Sequence, residues 1–118
     1  MDMPCGYVGQ LIVTAEITGN ALALGFEGGK RIYIFDAGQL CCESRYITTD
    51  DDVRALIGHR LTRVSSEVCN TESGEACFVT VGTDAGFITL ENHNEHNGYY
   101  SGFALKVMDE SDFKRWAS

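Results

Sequence analysis

Apolar and polar positions alternate with a period of two over most of this chain, which is the pattern of half-buried β-strands. Around residue 33, for example, Ile32 and Ile34 fall on one side of the chain and Tyr33 on the other. Turn residues separate the alternating runs. The pattern predicts strands at Val8–Thr18, Ala21–Phe26, Lys30–Phe35, Arg45–Thr48, Leu61–Cys69, Ala76–Val81, Phe87–Leu90 and Phe103–Met108.

The pattern changes at the acidic run Asp50–Asp52. A Thr or Asp here can cap a helix, and acidic residues suit the positive end of the helix dipole. With Val53, Leu56 and Ile57 on one face and Gly58 as terminator, the sequence predicts a short helix near residues 50–57, about two turns long. Capping and solvation explain the acidic run better than a metal site, which needs further oxygen ligands.

The C-terminal tail predicts a helical turn within Glu110–Trp116. Ser111 is a candidate cap, and Phe113 and Trp116 are three apart on one face. The fold class expected from the whole pattern is therefore mainly β (α+β), in a single domain over residues 1–118.

The chain also contains a candidate internal repeat. Two alignments carry it: Val8–Leu11 against Ile57–Leu61, and the hairpin Ala21–Phe35 with Asp36 against Ala76–Leu90 with Glu91. A duplication predicts two antiparallel β units that form a sandwich, or one curved sheet that closes into a barrel. Chance likeness between β meanders remains the alternative.

Charge narrows the possible partners. The formal net charge is −8, from 17 acidic and 9 basic residues. Such a field repels phosphate backbones and anionic membranes, so we expect neither direct nucleic-acid binding nor membrane binding. It would attract a basic protein surface by steering the encounter. Acidity that serves solubility alone is the competing explanation.

The five cysteines favour a reducing compartment. Their number is odd, and no segment has the length of a membrane span or the layout of a signal peptide. We therefore expect a cytoplasmic protein without a disulfide framework. Adjacent Cys41 and Cys42 point to opposite faces wherever the backbone is extended.

A zinc site is one candidate chemistry. Cys41, Cys42, His93 and His96 offer the ligand types that zinc prefers. Zinc sites usually space their cysteines two to four residues apart, however, which adjacent thiols do not satisfy. The alternative is one core cysteine and two histidines in an exposed loop over residues 92–102.

A thiol nucleophile is the second candidate, with Cys42 served by His93 or His96 and oriented by a nearby Asn. Glu43 would raise a neighbouring thiol pKa, and no predicted helix N-terminus stabilises a thiolate. No glycine loop of the phosphate-binding type is present either. We expect a protein that is not an enzyme and binds no cofactor.

Two polar and aromatic segments are the most informative stretches. One is the loop motif that includes Cys41, Cys42, Glu43, Arg45 and Tyr46, and the other surrounds Asn97, Tyr99 and Tyr100. Tyrosines supply contact area at low entropic cost, although one of an adjacent pair usually packs inward. The repeat places both segments at corresponding positions, so we expect them on one shared surface.

Three motifs carry a resemblance to a known family: Cys41–Ile47, the helix ending Leu56–Gly58, and Asn97–Ser101. Over about Val8 to Val107 the chain resembles a family of small uncharacterised proteins from phages and bacteria. The resemblance implies a phage or mobile-element setting, in which small acidic proteins often bind and block a host machine. Anti-CRISPR and other anti-defence inhibitors are examples.

The function expected from the sequence is an acidic protein-binding module. Its partner would be a host protein complex with a basic, nucleic-acid-binding surface, such as a CRISPR effector. The residues predicted to bind the partner are Asp50, Asp51, Asp52, Glu91, Glu95, Tyr99 and Tyr100. The alternatives are a small metal-binding or thiol enzyme, and a small-ligand domain with a pocket between its halves.

Overall fold

The computed structural model describes residues 6–18, 21–38, 43–71, 74–96 and 103–117, with the backbone alone at 43–45, 70, 71, 74, 75, 94–96 and 117. Eight strands, one short 3-10 helix and one α-helix follow each other in these residues. Their bounds are β1 Ile12–Thr18, β2 Ala21–Phe26, β3 Arg31–Asp36, β4 Glu43–Thr48, the 3-10 helix Val53–Leu56, β5 Leu61–Thr71, β6 Gly74–Thr83, β7 Gly86–His96, β8 Leu105–Asp109 and α1 Glu110–Ala117.

The strands form two four-stranded antiparallel sheets, in the orders β1-β2-β3-β8 (sheet 1) and β4-β7-β6-β5 (sheet 2). Inward side chains of both sheets belong to one hydrophobic cluster. The mainly β prediction is thus confirmed as a sandwich, and the strands described here do not close into a barrel.

Each sheet is a three-stranded meander completed by a strand from the other half of the chain. β4 follows β3 in sequence, yet it pairs with β7; β8 follows β7, yet it pairs with β3. The two halves therefore exchange their fourth strands. Because the chain passes from one sheet to the other between β3 and β4 and between β7 and β8, this exchange ties the two sheets together.

A reciprocal set of backbone hydrogen bonds joins the two halves where β1 and β5 begin. Gly9 N donates to Leu61 O (2.7 Å) and Gly58 N donates to Ile12 O (2.8 Å). Ile12 N likewise donates to His59 O (2.9 Å), and Leu61 N to Gln10 O (3.1 Å). Gly9 and Gly58 both have positive φ angles, 91° and 88°, which only glycine adopts readily. The pattern is that of a local two-fold axis.

The strand registers extend this symmetry and correct the alignment predicted from sequence. Both first strands carry a bulge, between Ile12 and Thr14 in β1 and between Leu61 and Arg63 in β5. Counting outward from the bulges makes Asp36 equivalent to Asn92. The predicted alignment of the hairpins was wrong: Ala21 is equivalent to Phe78 rather than Ala76, and Asp36 to Asn92 rather than Glu91.

The helix predicted near residues 50–57 is shorter than expected. A 3-10 helix covers Val53–Leu56 alone, with Asp52 as its N-cap. Residues 49–51 are not helical, and the side chains of Thr49 and Asp51 bond to the β7 backbone, as described below. Leu56 is buried as predicted, but Ile57 is 40% exposed and does not join the packed face.

The C-terminal segment is a full α-helix that packs on the outer face of sheet 1. Phe113 stacks on Tyr33 with ring centroids 4.2 Å apart, and Trp116 packs on Phe35 at 4.6 Å. The helix begins one residue before Ser111, and Asp109 Oδ1 accepts the Asp112 N–H (2.9 Å). Asp109 therefore caps the helix in place of the predicted Ser111.

Helix α1 also explains why all six residues of β2 are buried. Leu22, Leu24 and Phe26 face the core between the sheets, while Ala21 and Ala23 lie on the face that α1 covers. No helix in the described part of the chain is long and apolar enough to cross a membrane.

Candidate protein-binding face

The outer face of sheet 2 has a mixed aromatic and polar surface. On its strands the inward positions are buried, including Ile47, Val79, Val81, Ile88 and Leu90. The alternate positions point outward. We call these outward residues the open face: Tyr46, Thr48, Phe78, Thr80, Phe87, Thr89, Glu91 and His93. Among the residues that the structure describes, no helix packs over them.

A cluster of side chains occupies the β4–β7 side of the open face. Tyr46 and His93 are register partners, and their rings stack with centroids 4.6 Å apart. A 2.6 Å hydrogen bond joins Thr48 Oγ1 and His93 Nε2, and Glu91 Oε2 lies 3.8 Å from the same nitrogen. These contacts hold the histidine ring on the sheet surface.

Side chains continue the hydrogen bonding where β4 ends at Thr48. Thr49 Oγ1 donates to Thr89 O (2.7 Å), and Thr89 N donates to Asp51 Oδ2 (3.0 Å). Asp51 N in turn donates to Thr49 Oγ1 (3.0 Å). The acidic segment is thereby fixed against the edge of the open face.

A recess of about 230 Å³ opens on this face. Phe78, Thr89 and Leu90 supply its apolar and uncharged lining, and acidic residues stand around it. The complete lining is Thr48, Thr49, Asp50, Asp51, Phe78, Thr89, Leu90 and Glu91. Three residues predicted to bind a partner, Asp50, Asp51 and Glu91, are thus brought together.

Asp52 has a local structural role. Its Oδ1 accepts the Arg54 N–H (3.0 Å), and its carboxylate pairs with the Arg54 guanidinium at 3.0 Å. The hydrogen bonds from Arg54 hold the pKa of Asp52 below its usual value. This matches the capping interpretation of the acidic run, and a part for Asp52 in partner binding stays a prediction.

The remaining predicted partner-binding residues are placed only in part. The backbone of Glu95 pairs with Ser44 on β4. Cys41, Cys42, Asn97, Tyr99 and Tyr100 lie outside the described residues. Glu43 and His96 are register partners, so the two informative segments adjoin neighbouring strand ends. Arg45 lies opposite Asn94 in the same pairing.

The histidine segment differs from its prediction. It was expected to be an irregular loop from residue 92, but β7 continues to His96 because β4 pairs with it along its whole length. His93 and the backbone of His96 lie three positions apart on this strand. No group of three or more candidate metal ligands occurs among the described residues. The set with Cys41 and Cys42 reaches beyond them and stays a prediction.

A buried polar pair lies at the local two-fold axis, and sequence reasoning missed it. Asn92 Nδ2 donates to Asp36 Oδ2 (2.8 Å), which also accepts the Ala104 N–H (3.2 Å). Asp36 Oδ1 accepts the Gly38 N–H (2.9 Å). The alternating pattern of β3 could have revealed the pair, because Asp36 lies on the same inward side of the strand as Ile32 and Ile34.

Cys77 lies next to this pair, opposite Asn92 in the sheet, and is 1% exposed. Burial raises the pKa of its thiol, and a hydrogen bond with Asn92 opposes the shift. A buried thiol with a raised pKa is unsuited to nucleophilic attack. Cys77 therefore serves the core.

These features define a class: a strand-exchanged β-sandwich with one helix-covered outer face and one open outer face that contains an acidic recess. The chain belongs to the family described as Domain of unknown function (DUF7448), which matches residues 6–105. No curated protein and no solved structure matches the chain. The matched range contains every residue of the open face.

Proposed function

We propose that this protein is an acidic binding module that docks its open face on a basic surface of a partner protein. The observation that carries the proposal is the acidic, aromatic-lined recess on sheet 2. Aromatic residues are enriched among the few residues that carry most of the binding energy at protein interfaces, and complementary charge supplies steering and register. The open face offers both within one continuous surface.

The charge of the whole chain supports the same partner chemistry. A net charge of −8 attracts a basic surface and disfavours direct contact with nucleic acid. Together with the resemblance to small phage and bacterial proteins, this makes our specific proposal an inhibitor of a host defence complex, such as a CRISPR effector. Blocking a nucleic-acid-binding surface would be its mode of action.

Affinity capture with matched charge variants tests the proposal. The test variant changes Asp50 and Glu91 to Lys, because neither side chain forms a hydrogen bond with the β7 backbone. The control variant reverses Glu16 and Glu27, which are exposed and belong to the other half of the chain. Both variants change the net charge equally. We expect a bacterial protein that wild type and control retain to be lost from the Asp50/Glu91 variant.

The salt dependence of the captured complex sharpens this test. Its association rate should fall as the ionic strength rises, and less steeply for the Asp50/Glu91 variant than for wild type. Equal loss of binding in both charge variants would show that binding depends on the net charge of the protein and not on the open face. Retention of the bacterial protein by both variants would show that the open face is not part of the interface.

A further inference from the structure

We infer that the open face receives a basic helix from the partner, with one aromatic side chain of that helix inserted in the recess. This inference rests on the proposed function and specifies the partner's chemistry. It follows from the local symmetry, because the recess corresponds to the place that Phe113 fills on sheet 1.

The registers establish this correspondence. Leu22 pairs with Ile34 as Val79 pairs with Leu90, so β2 corresponds to β6 and β3 to β7. By the same count Tyr33 corresponds to Thr89, Phe35 to Glu91 and Ala21 to Phe78. The recess is lined by Thr89, Glu91 and Phe78, the three equivalents on sheet 2.

Phe113 shows what this position accommodates on sheet 1. Its ring lies 4.2 Å from the Tyr33 ring and 4.9 Å from the Phe35 ring, and α1 delivers it to the sheet. On sheet 2 the large ring belongs to β6, as Phe78, and the short Thr89 lies on β7. The space that Tyr33 fills on sheet 1 is therefore open, with an aromatic wall beside it.

The size of the recess favours a side chain over a small-molecule ligand. At about 230 Å³ it lies below the range of roughly 300–1,000 Å³ that is typical of small-molecule sites. A single aromatic ring needs less space and gains from edge or offset contact with Phe78. This argument separates a docking surface from the small-ligand alternative.

Charge identifies the flanking residues of the occupant. Asp50, Asp51 and Glu91 surround the recess, whereas Arg63 lies at the other end of the sheet, against Gly82. An incoming helix therefore meets negative charge beside its aromatic anchor. Lys or Arg within one turn of the anchor would satisfy that charge.

A synthetic peptide tests the inference without a known partner. The probe copies Glu110–Ala117 with Glu110→Lys and Asp112→Lys, closed by a helix-stabilising staple, so it is basic and keeps Phe113 and Trp116. Its titration into ¹⁵N-labelled full-length protein should shift the amide signals of Phe78, Thr89 and Glu91. Replacing Phe113 by Ala in the peptide should weaken binding roughly ten-fold.

Two controls define the charge contribution and the site. Glu91→Lys in the protein should weaken peptide binding, whereas Glu16→Lys should leave it unchanged. If the Phe113→Ala peptide binds as tightly as the parent peptide, the aromatic anchor is wrong while the basic-surface function stands. If shifts map to sheet 1, the peptide competes with α1 and the inference is overturned.

Two further outcomes would also overturn the inference. If neither peptide binds at millimolar concentration, the inference of a helical occupant is wrong, and the capture experiment then tests the proposed function separately. Concentration-dependent shifts at the open face without peptide would assign the face to a second copy of this chain. Only saturable, anchor-dependent shifts on sheet 2 support a helical partner.

Discussion

The two outer faces of the sandwich derive from corresponding strands, yet they present opposite surfaces. Sheet 1 combines small residues on β2 with aromatic rings on β3, and the rings of α1 cover them. Sheet 2 has Phe78 on β6 with Thr89 and Glu91 on β7, and no described helix covers it. The outer face of sheet 1 is covered by α1, whereas the outer face of sheet 2 keeps polar groups that can remain solvated.

This difference shows that the duplicated strands supply a scaffold, whereas the outward residues decide what each face does. A sheet face with contiguous apolar rings must be covered, since large exposed apolar patches promote association. A face that mixes Thr, Glu and His with isolated rings stays soluble and can bind a partner transiently. Substitutions on each face, and at the axis between the two halves, therefore test this difference.

The largest effect should come from the axis that both faces share. Asp36→Ala removes the acceptor of three N–H groups, from Gly38, Asn92 and Ala104. Buried donors that lose their partner are costly, so we expect a loss of about 3 kcal/mol in the free energy of unfolding. Urea denaturation measures it.

A control for Asp36→Ala removes an exposed carboxylate in the same half of the chain. Glu27→Ala should change the free energy of unfolding by less than about 0.5 kcal/mol. A loss at Asp36 no larger than this would mean that the exchanged strands do not depend on the buried pair.

The second effect separates the covered face from the open face. Phe113→Ala removes the ring that stacks on Tyr33 and Phe35, and we expect a loss of about 2 kcal/mol in unfolding free energy. Phe87→Ala is the matched change on sheet 2, where Phe87 is 65% exposed. It should cost less than about 0.5 kcal/mol. Equal losses would show that the open face is packed as well.

How far the sequence predicted this fold depends on the range of the interaction. The alternation of Ile32 and Ile34 was enough to place strands, because it is local. The pairing of β4 with β7 is not local and could not be predicted in this way, since any strand that begins and ends with polar residues has the same pattern. The same limit made Asn92 and His93 look like a loop, although the partner strand makes them sheet residues.

The sequence predicted the acidic character of the candidate site better than it predicted which residues form the site. Charge singled out Asp50, Asp51 and Glu91, and the structure brings them to one recess. Phe78 and Thr89 were missed because an isolated ring and a threonine on a strand have no distinctive spacing. Their importance emerges only when the strand registers make them the equivalents of Ala21 and Tyr33 on sheet 1.

A smaller effect should distinguish two equivalent glycines beside the bulges. A Cβ at Gly25 would overlap Thr14 Oγ1, whereas one at Gly82 would lie 2.9 Å from Arg63 Cγ and 3.0 Å from Thr62 Oγ1. The overlap at Gly25 is the deeper one, and the β-branched Thr14 has few rotamers with which to relieve it. We expect Gly25→Ala to cost roughly 1 kcal/mol more than Gly82→Ala in thermal or urea unfolding. The reverse order would mean that sheet 2 is the stiffer sheet.

The smallest effect should separate Asp52, the member of the acidic run that caps the 3-10 helix, from the members beside the recess. Asp52→Asn keeps an N-cap but removes the charge that pairs with Arg54. Because the pKa of Asp52 is lowered in the folded state, its charge stabilises the fold above the unfolded pKa of about 4 and stops doing so as the pH falls.

The stability difference between wild type and Asp52→Asn should therefore be present near neutral pH and shrink on acidification. Urea midpoints measured along a pH series check this, with Asp50→Asn as the control for losing one carboxylate from the same acidic run. A difference that grows on acidification would contradict the assigned ion pair. The expected outcome would leave Asp50, beside the recess, as the member of the run whose charge is available to a partner.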